Sequence, residues 1–409
     1  MSDPHLRFVH ASDLHLDSPL DGIAEIPPHL SDALVDAPIR AAEKVFDTVI
    51  EEDAEFLILS GDVLAADRAG PREILFLADQ FERLADKKIR VYWLASRSDP
   101  TDDWSSAAMF PDNVVRLPAG ENTELIYQRR QKPDARIVAF DALDGQAIDS
   151  VSSANEVVTI GIARSAGEPL ALEQQPVDYW ALGGRAERRT VTSEPMTIQF
   201  SGSPQGRHPS ETGAHGCTVV DITPSHAVSL THVTTDVVRW HAERLEIDAS
   251  VDTIQLELQA RQRLQYLLAN HANQILLISF SITGHGPLLG ELRRGNTADD
   301  VVAKLRTEFG HHTPAVWTVA LTAEPRHDFP TEWYEEETML GEFLRNVREL
   351  TMTSSEKIDL AKYLDPLPAE LAAQLEIRDT EDRAAVLQRA ATLGAELLSG
   401  DPSRAGRSH

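Results

Sequence analysis

The chain has 409 residues, 42% hydrophobic and 25% charged, enough for two or three domains with separate cores. Lys and Arg number 38 against 65 Asp and Glu, a net charge of −27 that repels phosphate backbones at long range and argues against a general nucleic-acid binder. The longest apolar runs, such as QILLISFSI from Gln274, fall short of the roughly 20 residues a bilayer crossing needs, so no membrane span is expected.

The opening MSDPHLRF has no basic segment followed by an apolar one, so no export is expected and the cytoplasm is the expected compartment. Cys217, the one cysteine, excludes an internal disulfide and a multi-cysteine zinc knuckle, and reads as a buried inert thiol.

In chain order, LRFVHAS (6–12) and EFLILSGD (55–62) are apolar runs ending in polar turns, and Ile39, Ala42, Val45, Phe46 and Val49 repeat between them at helical spacing. A second helix is predicted over 71–87, with proline in its first turn, and the strand VYWL from Val91 follows. This βαβα order predicts a largely parallel sheet with its active groups at the carboxyl ends of the strands.

From about Val114 the pattern becomes consecutive strands: VVRLP, ELIYQRR, ARIVAFDAL, VVTIGIAR, DYWALGG, TIQFSGSP, CTVVDIT and AVSLTHVTT. They predict a second sheet packed on the first. Beyond ASVD (249–252) the chain resets to helix (253–272), strand (275–283), helix (297–309) and strand (315–322). The expected organisation is a first domain over 1–240, a small α/β domain over 241–328, a helical region over 329–400 and a disordered tail over 401–409. In the helical region GEFLRNVREL and RAAVLQRAATLGAELL carry apolar stripes, which suit either a tail folded on its own chain or a partner-binding module.

The chemistry concentrates at the strand ends. Asp13 and His15 in ASDLHLDSPL alternate just past the first strand, and Asp62 in LSGDVL lies just past the next. Two carboxylates and an imidazole suit manganese, iron or zinc. His10, His208 and His215 are further candidate ligands, although His10, inside a strand, reads as a packed residue. Arg129, Arg130, Arg185, Arg188, Arg189 and Arg207 are candidates for a local basic path, and each also suits a solvated surface charge.

From RFVHASDLHLDSPL through ILSGDV, DYWALGG and GSPQGRHPSETGAHGC to the helical tail, the chain resembles the calcineurin-like metallophosphoesterases. Within them it is similar to the double-strand-break-repair exonucleases of the SbcD and YhaO type. The resemblance implies a two-sheet α-β-β-α sandwich with a small α/β capping domain and a helical C-terminal tail. It also implies two manganese ions that activate water and clamp a phosphodiester. The family's ligands come in five motifs: Asp-x-His, Gly-Asp, Gly-Asn-His-Asp, a single His after a strand, and Gly-His-x-His.

Set against those motifs, Asp13, His15 and Asp62 are retained, and three of the four ligands of the first metal remain. The third motif falls on Ser96, Arg97, Ser98 and Asp99, so the ligand Asn is Arg97 and the catalytic His is Ser98. The single His falls on Arg164, and Gly-His-x-His on Gly183, Gly184, Arg185 and Ala186. Of the second metal's ligands only Asp62 is left. The implied outcome is at most one weakly held divalent ion and no two-metal catalysis.

Without metal, two carboxylates about 4 Å apart at an effective dielectric of about 20 repel by on the order of 4 kcal/mol. One must protonate, or a cation must arrive. Arg97 and Arg164 are expected either to supply that charge by pairing with the carboxylates or to turn out to solvent. Arg185, Arg188, Arg189, Arg207 and His208 are left as possible phosphate contacts or surface ion pairs. The family's nucleases work with a coiled-coil SMC-like ATPase, which implies that partner for the C-terminal helices here. DNA, weakened by the charge, and a homodimer are the other expected associations. Two functions follow: an inactive homologue kept as a binding or scaffolding subunit in DNA end processing, or a weak one-metal phosphoesterase using Asp13, His15 and Asp62.

Overall fold

The computed structural model describes residues 6–65, 67–96, 99, 110–117, 123–129, 132–140, 157–165, 172, 175–284, 286–324, 329, 331–352 and 380–398. They divide into two compact units, one comprising Met1–Ala242, Leu267–Ser279 and Phe309–Val319, the other Glu243–Tyr266, Phe280–Glu308 and Ala320–His409.

The first unit begins with β1 (Leu6–Ala11), α1 (Pro28–Val35), α2 (Ala37–Glu51), β2 (Phe56–Leu59), α3 (Pro71–Asp86), β3 (Arg90–Leu94) and β4 (Val114–Leu117). It continues with β5 (Thr123–Arg129), β6 (Lys132–Phe140), β7 (Val158–Arg164), β8 (Tyr179–Gly183), β9 (Arg189–Thr192), β10 (Thr197–Phe200), β11 (Gly216–Ile222) and β12 (Val228–Thr234). Two six-stranded sheets result, in the orders β12-β11-β1-β2-β3-β4 and β5-β6-β7-β8-β10-β9. In the first sheet β1 to β4 are parallel, and in the second β6, β7, β8 and β10 are.

Alternation along each central strand sorts its side chains between two cores. Phe8, Phe56, Ile58, Tyr92 and Leu94 face a core shared with Ile137, Ile160, Ile162, Tyr179 and Ala181 of the second sheet. Their neighbours Val9, Ala11, Leu57, Leu59, Val91 and Trp93 face the opposite way, onto Val45, Phe46 and Val49 of α2 and Leu77, Phe81 and Leu84 of α3. The helical spacing in the sequence therefore marks the stripe that α2 buries. Cys217 lies in this outer core, where burial pushes its thiol up to about 12.

Three segments expected in the second sheet lie in the first. VVRLP forms β4, parallel to β3, while CTVVDIT and AVSLTHVTT form β11 and β12, antiparallel to β1 and to each other. Periodicity reports that a strand is half or fully buried but not which free edge it completes. Here β11 covers the open edge of β1 with the register Phe8 to Val220.

β13 (Val238–Ile247) runs through the expected boundary at 240 and forms a three-stranded sheet, in the order β13-β14-β15, with β14 (Ile275–Gly284) and β15 (Val316–Ala323). The helices that follow β13 are α4 (Thr253–Asn270), α5 (Pro287–Arg294) and α6 (Thr297–Phe309). After β15 come α7 (Thr331–Glu335), α8 (Met339–Met352) and α9 (Thr380–Leu398). The two apolar stripes read from the sequence meet each other: Leu340, Leu344 and Val347 of α8 pack on Leu387, Ala391 and Ala395 of α9. Among the described residues no helix is long and apolar enough to cross a membrane.

Candidate metal centre

The carboxyl ends of β1 and β2 in the first sheet and of β7 and β8 in the second supply the candidate groups. After β1 the chain alternates: Leu14 and Leu16 are buried in the outer core, while Asp13 and His15 take left-handed backbone conformations with φ of 54° and 43°. Asp and His are among the non-glycine residues that tolerate this region best. The loop is bonded to the connection after β2, with the N–H groups of Asp13, His15 and Leu16 donating to the carbonyls of Gly61, Asp62 and Val63 at 3.1, 3.0 and 3.1 Å. Gly61 and Asp62 also have positive φ, 100° and 51°.

These turns bring Asp13, His15 and Asp62 together, one ligand atom of each lying within 4.8 Å of the others. His15 Nε2 is 3.8 Å from Asp13 Oδ1. Gly184 N–H donates to Asp13 Oδ2 at 3.0 Å, and Arg164 Nη2 donates to Asp62 Oδ2. Of the two arginines expected to pair with these carboxylates, Arg164 therefore does so with Asp62, while Arg97 and Ser98 lie outside the described residues.

Burial dominates the electrostatics. It raises the Asp13 carboxyl to about 7, helped by the nearby Asp62 charge and opposed by hydrogen bonds from Ser12 and Gly184. It lowers the His15 imidazole to about 4, helped by Arg207. His15 is thus a neutral imidazole at neutral pH, the form that binds metal. Asp99, raised by burial, accepts the N–H groups of Leu64 at 3.0 Å and Ser96 at 3.2 Å, so it ties the turn after β3 to the connection after β2.

The candidate reserve histidines have other partners. His10 is enclosed between Tyr179 Oη at 2.7 Å and Ser60 Oγ at 2.9 Å. His215 places Nδ1 3.0 Å from Ser203 Oγ and Nε2 3.2 Å from the Glu211 carbonyl. His208 is exposed and bonds Ser210 Oγ at 2.8 Å. Among the described residues none of the three joins a group that could hold a metal.

The basic residues divide similarly. Arg129 pairs with Glu55 and Asp134, Arg185 stacks over the Phe200 ring at 5.0 Å, and Arg188 and Arg189 are exposed. Half-buried Arg207 is placed near His15 by its loop, where its carbonyl accepts the Asp21 N–H at 2.8 Å. Ala186 contributes its carbonyl, which accepts the Ser203 N–H at 2.9 Å.

Sequence reading missed Asp17. Its buried carboxylate accepts Ala65 N–H at 2.7 Å and pairs with Arg68 at 2.9 Å, bracing the loop that carries Asp13 and His15. The only signal was a second aspartate continuing the alternate spacing of Asp13 and His15. Asp17→Ala is expected to cost about 2 kcal/mol by leaving the buried Ala65 N–H without its acceptor, measured as a fall in the urea midpoint.

A group of two carboxylates and one neutral imidazole fits a single hard-to-borderline divalent ion. Arg164 engages Asp62 Oδ2, and among the described residues no other group of three His, Cys, Asp or Glu side chains that could hold a metal occurs.

Two mixed sheets packed face to face, with an Asp-His-Asp cluster at the ends of parallel strands, make this a mixed α/β sandwich with a candidate metal centre. Over 235 residues the chain is 28% identical to the uncharacterized metallophosphoesterase YhaO of Bacillus subtilis, a match covering 53% of this chain and 58% of that protein. The chain thus spans less than two thirds of that relative's length. A crystal structure of a dimetal phosphatase from Danio rerio superposes with a TM-score of 0.34 and 10% identity, over 54% of this chain and 94% of that one. No family model matches the chain.

Proposed function

We propose that this chain is a metallophosphoesterase-type protein that has lost two-metal catalysis and serves as a binding or scaffolding subunit. The observation that carries this reading is the site itself: one three-donor cluster among the described residues, with a peptide N–H on Asp13 and a guanidinium on Asp62. In-line phosphodiester hydrolysis by two ions needs a clamp on both the attacking and the leaving oxygen. A single ion held by Asp13, His15 and Asp62 would supply one Lewis acid where that clamp needs two. The chain's own residues would then orient that ion and keep the imidazole neutral.

The process in this proposal is DNA end processing beside an SMC-like ATPase, with the packed pair α8 and α9 as the docking element. The net charge of −27 makes the partner, rather than this chain, the main DNA-binding component. The similarity to YhaO supports the superfamily placement on which this reading is built. The second reading, a weak one-metal phosphoesterase, is favoured by the 25% exposure of the His15 side chain, which gives solvent access to one edge of the cluster.

Manganese-dependent hydrolysis of a model phosphodiester and of linear DNA, compared with Asp62→Ala, separates the two. The expected result is equal rates for the native chain and the variant. A native rate 100-fold or more above the variant, about 2.7 kcal/mol of transition-state stabilisation, establishes the enzyme instead. A neighbouring reading frame encoding a long heptad-bearing ATPase that co-purifies with the full chain supports the scaffold role, and the absence of any such partner removes it.

A further inference from the structure

We infer that Arg164 is a resident cation of the metal centre, seated on Asp62 where a second divalent ion would need a ligand, so that a bound ion must compete with it. This rests on the reading of Asp13, His15 and Asp62 as a divalent-ion site. It adds that the loss of a second ion is enforced by a positive charge built into the fold.

The fold is shaped around this side chain. Arg164 ends β7, where its backbone pairs with Gly183 of β8, and the next residue, Ser165, donates its N–H to the Gly183 carbonyl at 3.0 Å. From that fixed backbone the arginine stem crosses Gly61. A Cβ on Gly61 would stand 2.5 Å from Arg164 Cδ, 2.9 Å from Nε and 3.0 Å from Cγ. The glycine next to Asp62 thus forms the floor on which the arginine lies, and its φ of 100° turns the chain so that Asp62 meets the guanidinium.

The charge balance gives the consequence. Two carboxylates face each other in a largely buried site, and Arg164 answers one of them permanently, because a guanidinium does not lose its proton in a protein. A divalent ion entering the cluster shares Asp62 with a fixed positive charge. Its affinity is lowered by that repulsion and by the loss of a carboxylate oxygen to Arg164. The same pairing stabilises the metal-free chain, whose carboxylates would otherwise repel.

The test is a manganese titration of the full chain, followed by electron paramagnetic resonance and thermal melting, for the native protein, Arg164→Gln and Arg164→Lys. Arg164→Gln is expected to bind manganese at least about tenfold more tightly than the native chain, and to melt lower without metal and recover with it. Arg164→Lys, which keeps the charge, is expected to stay within about threefold of the native affinity. Equal affinities for the native chain and Arg164→Gln overturn the proposal, as does Arg164→Lys binding as tightly as Arg164→Gln.

Should Arg164→Gln fail to fold, the native chain decides: an isolated one-ion signal at saturation supports the inference and a spin-coupled manganese pair overturns it. Manganese binding to none of the three proteins sinks the cluster reading and this inference together. Hydrolysis by a native chain carrying one ion sinks only the inactive-subunit reading.

Discussion

Gly183→Ala is expected to destabilise the chain by about 3 kcal/mol, through overpacking at a point where two backbones meet. A Cβ on Gly183 would lie 1.9 Å from the Ser60 carbonyl oxygen. Neither backbone can give way cheaply. Ser60 donates its N–H to Ala11 O at 3.1 Å, and the Gly183 carbonyl accepts the Ser165 N–H at 3.0 Å. The contact also sets the site, because Ser60 leads into Asp62 and Gly183 leads into the Gly184 N–H bonded to Asp13. The measurement is the urea midpoint at unchanged slope, with Gly295→Ala as the control. At Gly295 the nearest atom to the new Cβ is 3.4 Å away, so that variant should remain within about 1 kcal/mol of native. Equal losses in the two variants would refute the steric account.

Lowering the pH from 7 to 4.5 is expected to remove about 2.5 kcal/mol of stability through His10 alone. Burial holds this fully enclosed imidazole neutral and lowers its pKa from 6.5 to about 3. The unfolded chain takes up the proton near 6.5, whereas the folded chain takes it up only near 3. The contribution is therefore complete above about pH 6.5 and is lost progressively as the pH falls from there towards the folded value. Urea midpoints at the two pH values for the native chain and His10→Gln isolate the residue, since every other titrating group is common to both. The stability gap between them should shrink by that amount in acid, and a gap independent of pH would show that His10 is not buried neutral. The same imidazole bonds Tyr179 of the second sheet and Ser60 beside the candidate metal centre, so it sits at the joint beneath the site.

Much of the site was legible because local chemistry determines it. Asp13, His15 and Asp62 follow apolar strands directly, and once two parallel neighbours are assumed their ends must lie together. The stripes of α2, α8 and α9 were legible for a similar reason, since helical spacing reports the buried face wherever the partner lies. His10 read as a packed residue because a polar side chain inside an apolar strand must find partners there. By contrast, Arg164 and Arg97 looked alike at this level, two arginines at the ends of strands.

The sequence by itself determined the alternating element order, the Asp13, His15 and Asp62 set and the charge of −27. These are properties of residue type and short-range spacing, which no packing can change. Only the tertiary structure decided which sheet takes β4, β11 and β12, that His215 is bonded within its own loop, and that Arg164 lies across Gly61 onto Asp62. Asp62 and Arg164 are 102 positions apart, and what joins them is the packing of two sheets through a glycine. No periodicity within either segment encodes that approach.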